Sequence, residues 1–155
     1  MLSEQSKQKI RTICDEYPDP QSALLPALYL AQQDHGGWLP EAAFDEVAEV
    51  MGLPPTQVAA AATFYTMLNK KPVGRHLIQV CTNISCSLLG AEHLLSHISR
   101  KLGIDVGETT GDGKFTLLEV ECLGSCGTAP MMQVDDRYYE NLTEEKIDQI
   151  LAGLS

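Results

Sequence analysis

Basic residues are scarce in this chain of 155: 11 Lys and Arg stand against 21 Asp and Glu, for a net charge of −10. A surface of that sign excludes nucleic acid as a natural partner, because phosphate binding needs Lys and Arg to displace counterions. Anionic membrane surfaces are equally unfavourable. Long apolar runs are also missing. Nothing approaches the roughly 20 residues of a membrane span, and the most apolar stretch, Val58 to Leu68, carries threonines and reads as a core helix. No direct membrane insertion is expected. The first residues, MLSEQSKQKIR, lack an apolar h-region, so no signal peptide is expected and the cytoplasm is the expected compartment. Aromatics make up 6%, with one tryptophan; Trp38 follows Gly36-Gly37 and is expected to pack between helices. The glycine-rich GETTGDG is neither G-x-G-x-x-G nor a P-loop and reads as a turn. No cysteine pair has the C-x-x-C spacing of redox-active dithiols.

What is present suits a folded protein: 44% hydrophobic and 21% charged residues, enough for a core without disulfide staples. Residues 1–70 read as a helical bundle. Ser3 caps a first helix whose stripe includes Ile10, Ile13 and Cys14; Cys14 is expected to be a packing cysteine. In QSALLPALYLAQQDHGG, Pro26 falls in the first turn of a second helix. LPEAAFDEVAEVMG places Phe44, Val47, Ala48 and Met51 on one stripe and closes at Gly52. LPPTQVAAAATFYTML repeats the design with Val58, Ala61, Ala62, Tyr65 and Leu68.

The composition changes at NKKPVGR, which puts a domain boundary near residue 70. Over 71–155 the expected order is β-α-β-β-β-α. HLIQVC forms a strand ending at Cys81. Leu88, Ala91, Leu95, Ile98 and Leu102 step as an amphipathic helix. TLLEVEC forms a second strand ending at Cys122. MMQV and RYYE form a hairpin about Asp135-Asp136, and Thr143 caps a last helix. A crossover followed by a hairpin and a helix has the thioredoxin-like outline, so the fold class is α/β with a helical bundle in front. Pro130, just before MMQV, stands where such folds place a cis proline. Tyr138 and Tyr139 point to opposite faces of a strand, so one can pack while the other meets a partner.

Four thiols carry the chemistry. Cys81 and Cys86 form C-x4-C, and Cys122 and Cys126 form C-x3-C after a gap of 35 residues. Cys81 and Cys122 end two strands of one crossover unit. Those strands are expected to be parallel, so both strand ends lie on one sheet edge, where open α/β sheets place ligands, and all four sulfurs can converge there. In a reducing compartment clustered thiols bind metal or do redox work. Zinc knuckles favour C-x2-C, whereas wider loops suit two irons with one cysteine pair each. A structural zinc module, a dithiol reductase and four inert buried thiols are the competing readings. Thr82, Asn83, Ser85 and Ser87 are expected to donate to cluster sulfur, and a helix starting near Ser87 to aim its positive end there. His93 and His97 are expected on a solvated face, and Asp135 and Asp136 in a turn rather than as an acid/base pair.

The segments VCTNISCSLLG, GETTGDGKFTLLEVECLGSCGTAPMMQV, YYENLTEEKIDQIL, GWLPEAAFDEVAEVMGLPP and ATFYTMLNKKPVGRHLIQVC resemble a known family. It is that of the small [2Fe–2S] subunits, the E type, of bacterial NADH:quinone oxidoreductase, respiratory complex I. The match begins near Ala27. The resemblance implies a thioredoxin-like [2Fe–2S] ferredoxin domain behind a helical bundle, with Cys81, Cys86, Cys122 and Cys126 as cluster ligands. It implies an electron-transfer role without an NADH site in this chain. FMN and NAD would reside in a flavin- and NADH-binding partner subunit, beside other iron–sulfur subunits of the peripheral arm. The complex would lie peripherally on the cytoplasmic side of the inner membrane. Related subunits of NAD-reducing hydrogenases and NAD-dependent formate dehydrogenases share the pattern. The helical half is expected to serve docking.

Overall fold

The computed structural model describes residues 1–154. The chain divides into two compact units, Met1–Pro72 and one beginning at Val73.

The first unit is helical. Helix α1 (Glu4–Asp15) starts where the Ser3 hydroxyl accepts the Ser6 N–H. A short 3-10 turn, Pro20–Ala23, leads into α2 (Leu24–Asp34). Helices α3 (Glu41–Met51) and α4 (Pro55–Phe64) follow, α3 closing at left-handed Gly52. Ile10, Leu28, Leu39, Val47, Val58 and Leu68 are buried together, with Cys14 partly buried against them as a packing residue. The stripe expected from the sequence overruns α4: the helix ends at Phe64, and Leu68 reaches the core from the connection beyond it. Tyr65 turns extended, which leaves Phe64 and Met67 outside.

In the second unit, strand β1 (His76–Cys81) is followed by a short helix α5 (Ile84–Leu88) and by α6 (Ala91–Leu102). Then come β2 (Phe115–Val120), β3 (Met132–Val134), β4 (Arg137–Tyr139) and α7 (Glu144–Gly153). The sheet order is β2-β1-β3-β4. β1 pairs with β2 in parallel and with β3 antiparallel, and β3–β4 is the hairpin. The Ala129–Pro130 peptide is cis. The hairpin turn is held by Asp135, whose carboxylate accepts from His76 Nδ1 at 2.8 Å and from the Leu77 N–H at 2.9 Å. Asp135 and Asp136 thus belong to a turn, as their position suggests.

The apolar period predicts one helix from Leu88 to Leu102, and two are found. Gly90 sits at φ +90°, a left-handed conformation that disfavours any side chain, and it turns the chain between α5 and α6. Leu88 therefore leaves the stripe and is 81% exposed, while Ala91, Leu94, Leu95 and Ile98 are buried. Thr143 caps α7 through the Lys146 N–H, and Ile147 and Leu151 point inward. Gly74 is required for another reason. A Cβ there would stand 2.9 Å from the Phe115 carbonyl carbon, and its N–H donates to buried Thr116 Oγ1 at 2.6 Å.

Of the two histidines of α6, His93 is exposed as expected, whereas His97 is largely covered. His93 Nε2 meets Glu144 Oε1 at 2.7 Å, and His97 Nε2 meets Asp148 Oδ1 at 2.8 Å. Lys101 adds a 2.9 Å ion pair to Asp148. Hydrogen bonding from His97, then Lys101, holds the Asp148 carboxyl below its ordinary range. A lowered carboxylate contributes stability above its unfolded pKa, about 3.9, and loses it as pH falls through the folded-state value. Asp148→Asn should therefore flatten the acid limb of the stability profile below about pH 4, read as ellipticity against pH. An unchanged limb would remove Asp148 from the acid response.

Candidate metal centre

The sheet fixes where the chain segments that carry the cysteines leave it. Cys81 closes β1 and stands in register with Val120, the last residue of β2. Parallel pairing carries both chains out over the same edge, with Cys122 two residues past the end of β2. The strand expected to reach Cys122 stops at Val120, and Cys122 lies in the loop. Backbone bonds fix that edge: Thr82 N–H to Val120 O at 3.2 Å, Cys81 N–H to Met131 O at 3.3 Å, and the β1–β2 ladder itself.

The pairs differ in burial. Cys81 and Cys86 are buried with Ala91, Ala129 and Met131; Cys122 and Cys126 are exposed. Burial pushes the Cys86 thiol up, and hydrogen bonding with Cys81 raises it further; the Cys81 and Cys126 charges act in the same direction. Cys122 Sγ accepts the Gly124 N–H at 3.3 Å, with Gly124 at φ +73°. Among the described residues, no three His, Cys, Asp or Glu side chains are gathered as for a single ion. All cysteines of the described residues are free thiols.

Two of the hydroxyls expected to face sulfur, those of Thr82 and Ser87, are engaged elsewhere. Thr82 Oγ1 donates to Glu119 Oε1 at 2.7 Å, and Ser87 Oγ donates to Glu92 Oε1. Asn83 caps α5 through the Ile84 N–H. The expected helix start at Ser87 is likewise replaced by the short helix α5. The contact to sulfur comes from backbone at Gly124, a glycine whose sequence position already suggests close backbone approach. Sequence reasoning missed Glu140 altogether. It follows β4, and its carboxylate accepts from Ser125 Oγ and, at 2.6 Å, from Thr128 Oγ1. Tyr138, 52% exposed, donates its hydroxyl to Leu123 O at 2.8 Å; Tyr139 packs against the core. The alternation of the two tyrosines is legible in the sequence, but the use of Tyr138 on the cysteine loop is not.

Four thiols in two pairs fit the donor demand of a two-iron cluster, which takes cysteine thiolate ligands. A thioredoxin-like sheet that presents such pairs at its edge defines an iron–sulfur electron carrier. The family model described as thioredoxin-like [2Fe–2S] ferredoxin matches residues 10–155, and the chain belongs to that family. Its cofactor is a [2Fe–2S] cluster. Two bacterial relatives are NADH-quinone oxidoreductase subunits of the E type. The chain is 47% identical over 147 residues to the second such subunit of Rhizobium meliloti (strain 1021), covering 95% of this chain and 87% of the relative. It is 48% identical over 145 residues to the one of Rickettsia felis, covering 92% and 87%. Among solved structures it resembles the NAD+-reducing [NiFe]-hydrogenase in the H2-reduced state, with a TM-score of 0.73 and 26% identity. That match covers 84% of this chain and 22% of the hydrogenase chain. Relatives of both kinds are components of oxidoreductases. No helix among the described residues is long and apolar enough to cross a membrane.

Proposed function

We propose that Cys81, Cys86, Cys122 and Cys126 ligate the [2Fe–2S] cluster, and that the chain is the one-electron carrier of an NADH:quinone oxidoreductase. In that role it exchanges electrons with the flavin of a partner subunit. The observation that carries this reading is the register of β1 and β2, which brings Cys81 and the chain leading to Cys122 out over one sheet edge. Identity near one half to NADH-quinone oxidoreductase relatives favours that host over the hydrogenase and formate dehydrogenase alternatives. The bound cluster supplies reversible one-electron chemistry, and the protein's part is to hold it. Buried Cys81 and Cys86 shield one side, and the exposed pair leaves the other open to solvent. Residues 1–70 are read as a docking element and 71–155 as the cluster carrier, each with its own hydrophobic core.

The partner's FMN and NADH sites and the other iron–sulfur subunits of the peripheral arm complete the reading. The assembly would lie on the cytoplasmic side of the membrane. Purified anaerobically, the chain should contain about two irons and two acid-labile sulfides and show a spin signal only after reduction. It should not oxidise NADH alone. One zinc and no sulfide would overturn the proposal.

The surface around the cysteines supports docking to a basic partner. Ile84, Leu88 and Leu89 are exposed on and beside α5, the helix that carries Cys86. Glu92 and Glu119 flank them through their bonds to Ser87 and Thr82. No Lys or Arg occurs in 76–99 or 115–136. An apolar centre with an acidic rim suits a flavin-bearing subunit with an apolar, Lys- and Arg-rimmed face. Leu88→Glu should weaken assembly with that subunit at least about tenfold while the chain keeps its iron. Full assembly of the variant would place the contact elsewhere.

A further inference from the structure

The loop that carries the exposed cysteines has few means of its own to hold a shape. Between Cys122 and Thr128 it has one 3-10 turn, Cys126–Thr128, the Gly124 N–H to Cys122 Sγ bond at 3.3 Å, and bonds from the Thr128 N–H and Oγ1 to Ser125 O, each at 3.2 Å. Its fixed points come from β4 and the turn behind it. Tyr138 holds Leu123 O, the Asn141 N–H donates to Thr128 O at 2.7 Å, and the Leu142 N–H donates to Pro130 O at 2.9 Å. Between these contacts lies Glu140. One of its oxygens, Oε1, collects both hydroxyls of the loop, Ser125 Oγ and Thr128 Oγ1, which are themselves 2.7 Å apart. Lys146 Nζ donates to the Glu140 main-chain carbonyl at 2.5 Å, which ties that residue back to α7.

From this geometry we propose that Glu140 is a positioning residue for the cluster: its carboxylate clamps the Cys122–Cys126 loop through Ser125 and Thr128, and its charge opposes reduction of the cluster. The proposal rests on the reading of the four cysteines as ligands. Ser125 lies between Cys122 and Cys126, one residue from the latter. A charge-assisted bond to its hydroxyl is roughly twice as strong as a neutral one, so it constrains where both sulfurs can stand. The two hydroxyls hold the Glu140 carboxyl below its ordinary range, so it carries a full negative charge at neutral pH. A negative charge beside a cluster that gains an electron disfavours the reduced form.

The two parts of the role separate in mutants of the full chain. Glu140→Gln keeps an acceptor oxygen but loses the charge. It should retain the wild-type iron and sulfide content, with chelator-driven release between those of wild type and Glu140→Ala, and a midpoint potential shifted positive. Glu140→Ala loses the clamp as well, so chelator-driven iron release should accelerate at least about fivefold and the g-values of the reduced cluster should change. Ser125→Ala/Thr128→Val removes the donors and leaves the carboxylate; it should reproduce the faster release, and it keeps the test open if Glu140→Ala folds poorly. Wild-type release rate and g-values in both the alanine and the double variant would overturn the clamp. An unmoved potential in Glu140→Gln would overturn the charge role. Wild-type chain without two irons and two sulfides would instead overturn the ligand assignment, so the two failures are distinct.

Discussion

Cys86→Ala should leave the chain without its visible cluster spectrum and with iron reduced at least about tenfold, while the fold survives. Cys86 lies on the short helix α5, 2% exposed, against Ala91, Ala129 and Met131. No other residue on α5 can take its place: Ser85 and Ser87 flank it, and Ser87 is bonded to Glu92. A missing ligand in a buried pair cannot be replaced by water without hydrating an apolar pocket, which costs free energy for each unpaired polar group. The hydrophobic core around Ile98 and Leu117 does not include Cys86, so far-ultraviolet ellipticity should hold. A Cys86→Ala chain that kept its red-brown colour would remove Cys86 from the ligand set.

The exposed pair should respond differently. Cys122 and Cys126 face solvent, so chelators and oxidants reach that side first, and the loop tolerates a substituted side chain more easily than the pocket. Cys122→Ser should retain part of the cluster, with faster loss to chelator, where Cys86→Ser retains almost none. This asymmetry arises from burial alone. Equal losses in the two serine variants would mean that the exposed loop is covered in solution.

Much of this site can be read from the chain before any coordinates. Period-two and period-three-to-four patterns place β1, α6 and α7, and the strand–helix–strand order gives the parallel pairing that sends the ends of β1 and β2 over one edge. The hairpin at Asp135-Asp136 and the cap at Thr143 are local devices, and local devices are legible. What stays hidden depends on partners far away in sequence. Thr82 and Glu119 are 37 residues apart, His97 and Asp148 are 51 apart, and Ser125 and Glu140 are 15 apart. Nearest neighbours along the chain assign Thr82 to sulfur and His97 to solvent, yet each finds a carboxylate that only the fold supplies. The break at Gly90 is hidden for a different reason. A single glycine within a continuing apolar period is compatible with one helix, and only its left-handed φ shows that there are two.

Ile78→Ala should be the most damaging single truncation in the second unit, lowering stability by about 2–5 kcal/mol. Ile78 stands opposite Leu117 on β2 and opposite Val134 on β3, so it lies where three strands meet on the central one. All three residues are buried in one cluster with Leu94, Leu95 and Ile98 of α6 and with Ile147 and Leu151 of α7. A cavity there has strands on both flanks, and their ladders resist the collapse that would refill it. Ile78→Val removes one methylene and should cost about 0.5–1.5 kcal/mol, which gives a graded pair for urea unfolding of the cluster-free chain. The effect should also reach the metal centre. Cys81 lies three residues along the same strand, and its register with Val120 sets the spacing of the two cysteine loops. Ile78→Ala should therefore release iron faster than Ile78→Val in proportion to the stability lost. Iron retention that ignored the stability series would mean that the cluster edge is held independently of the β1–β2 ladder.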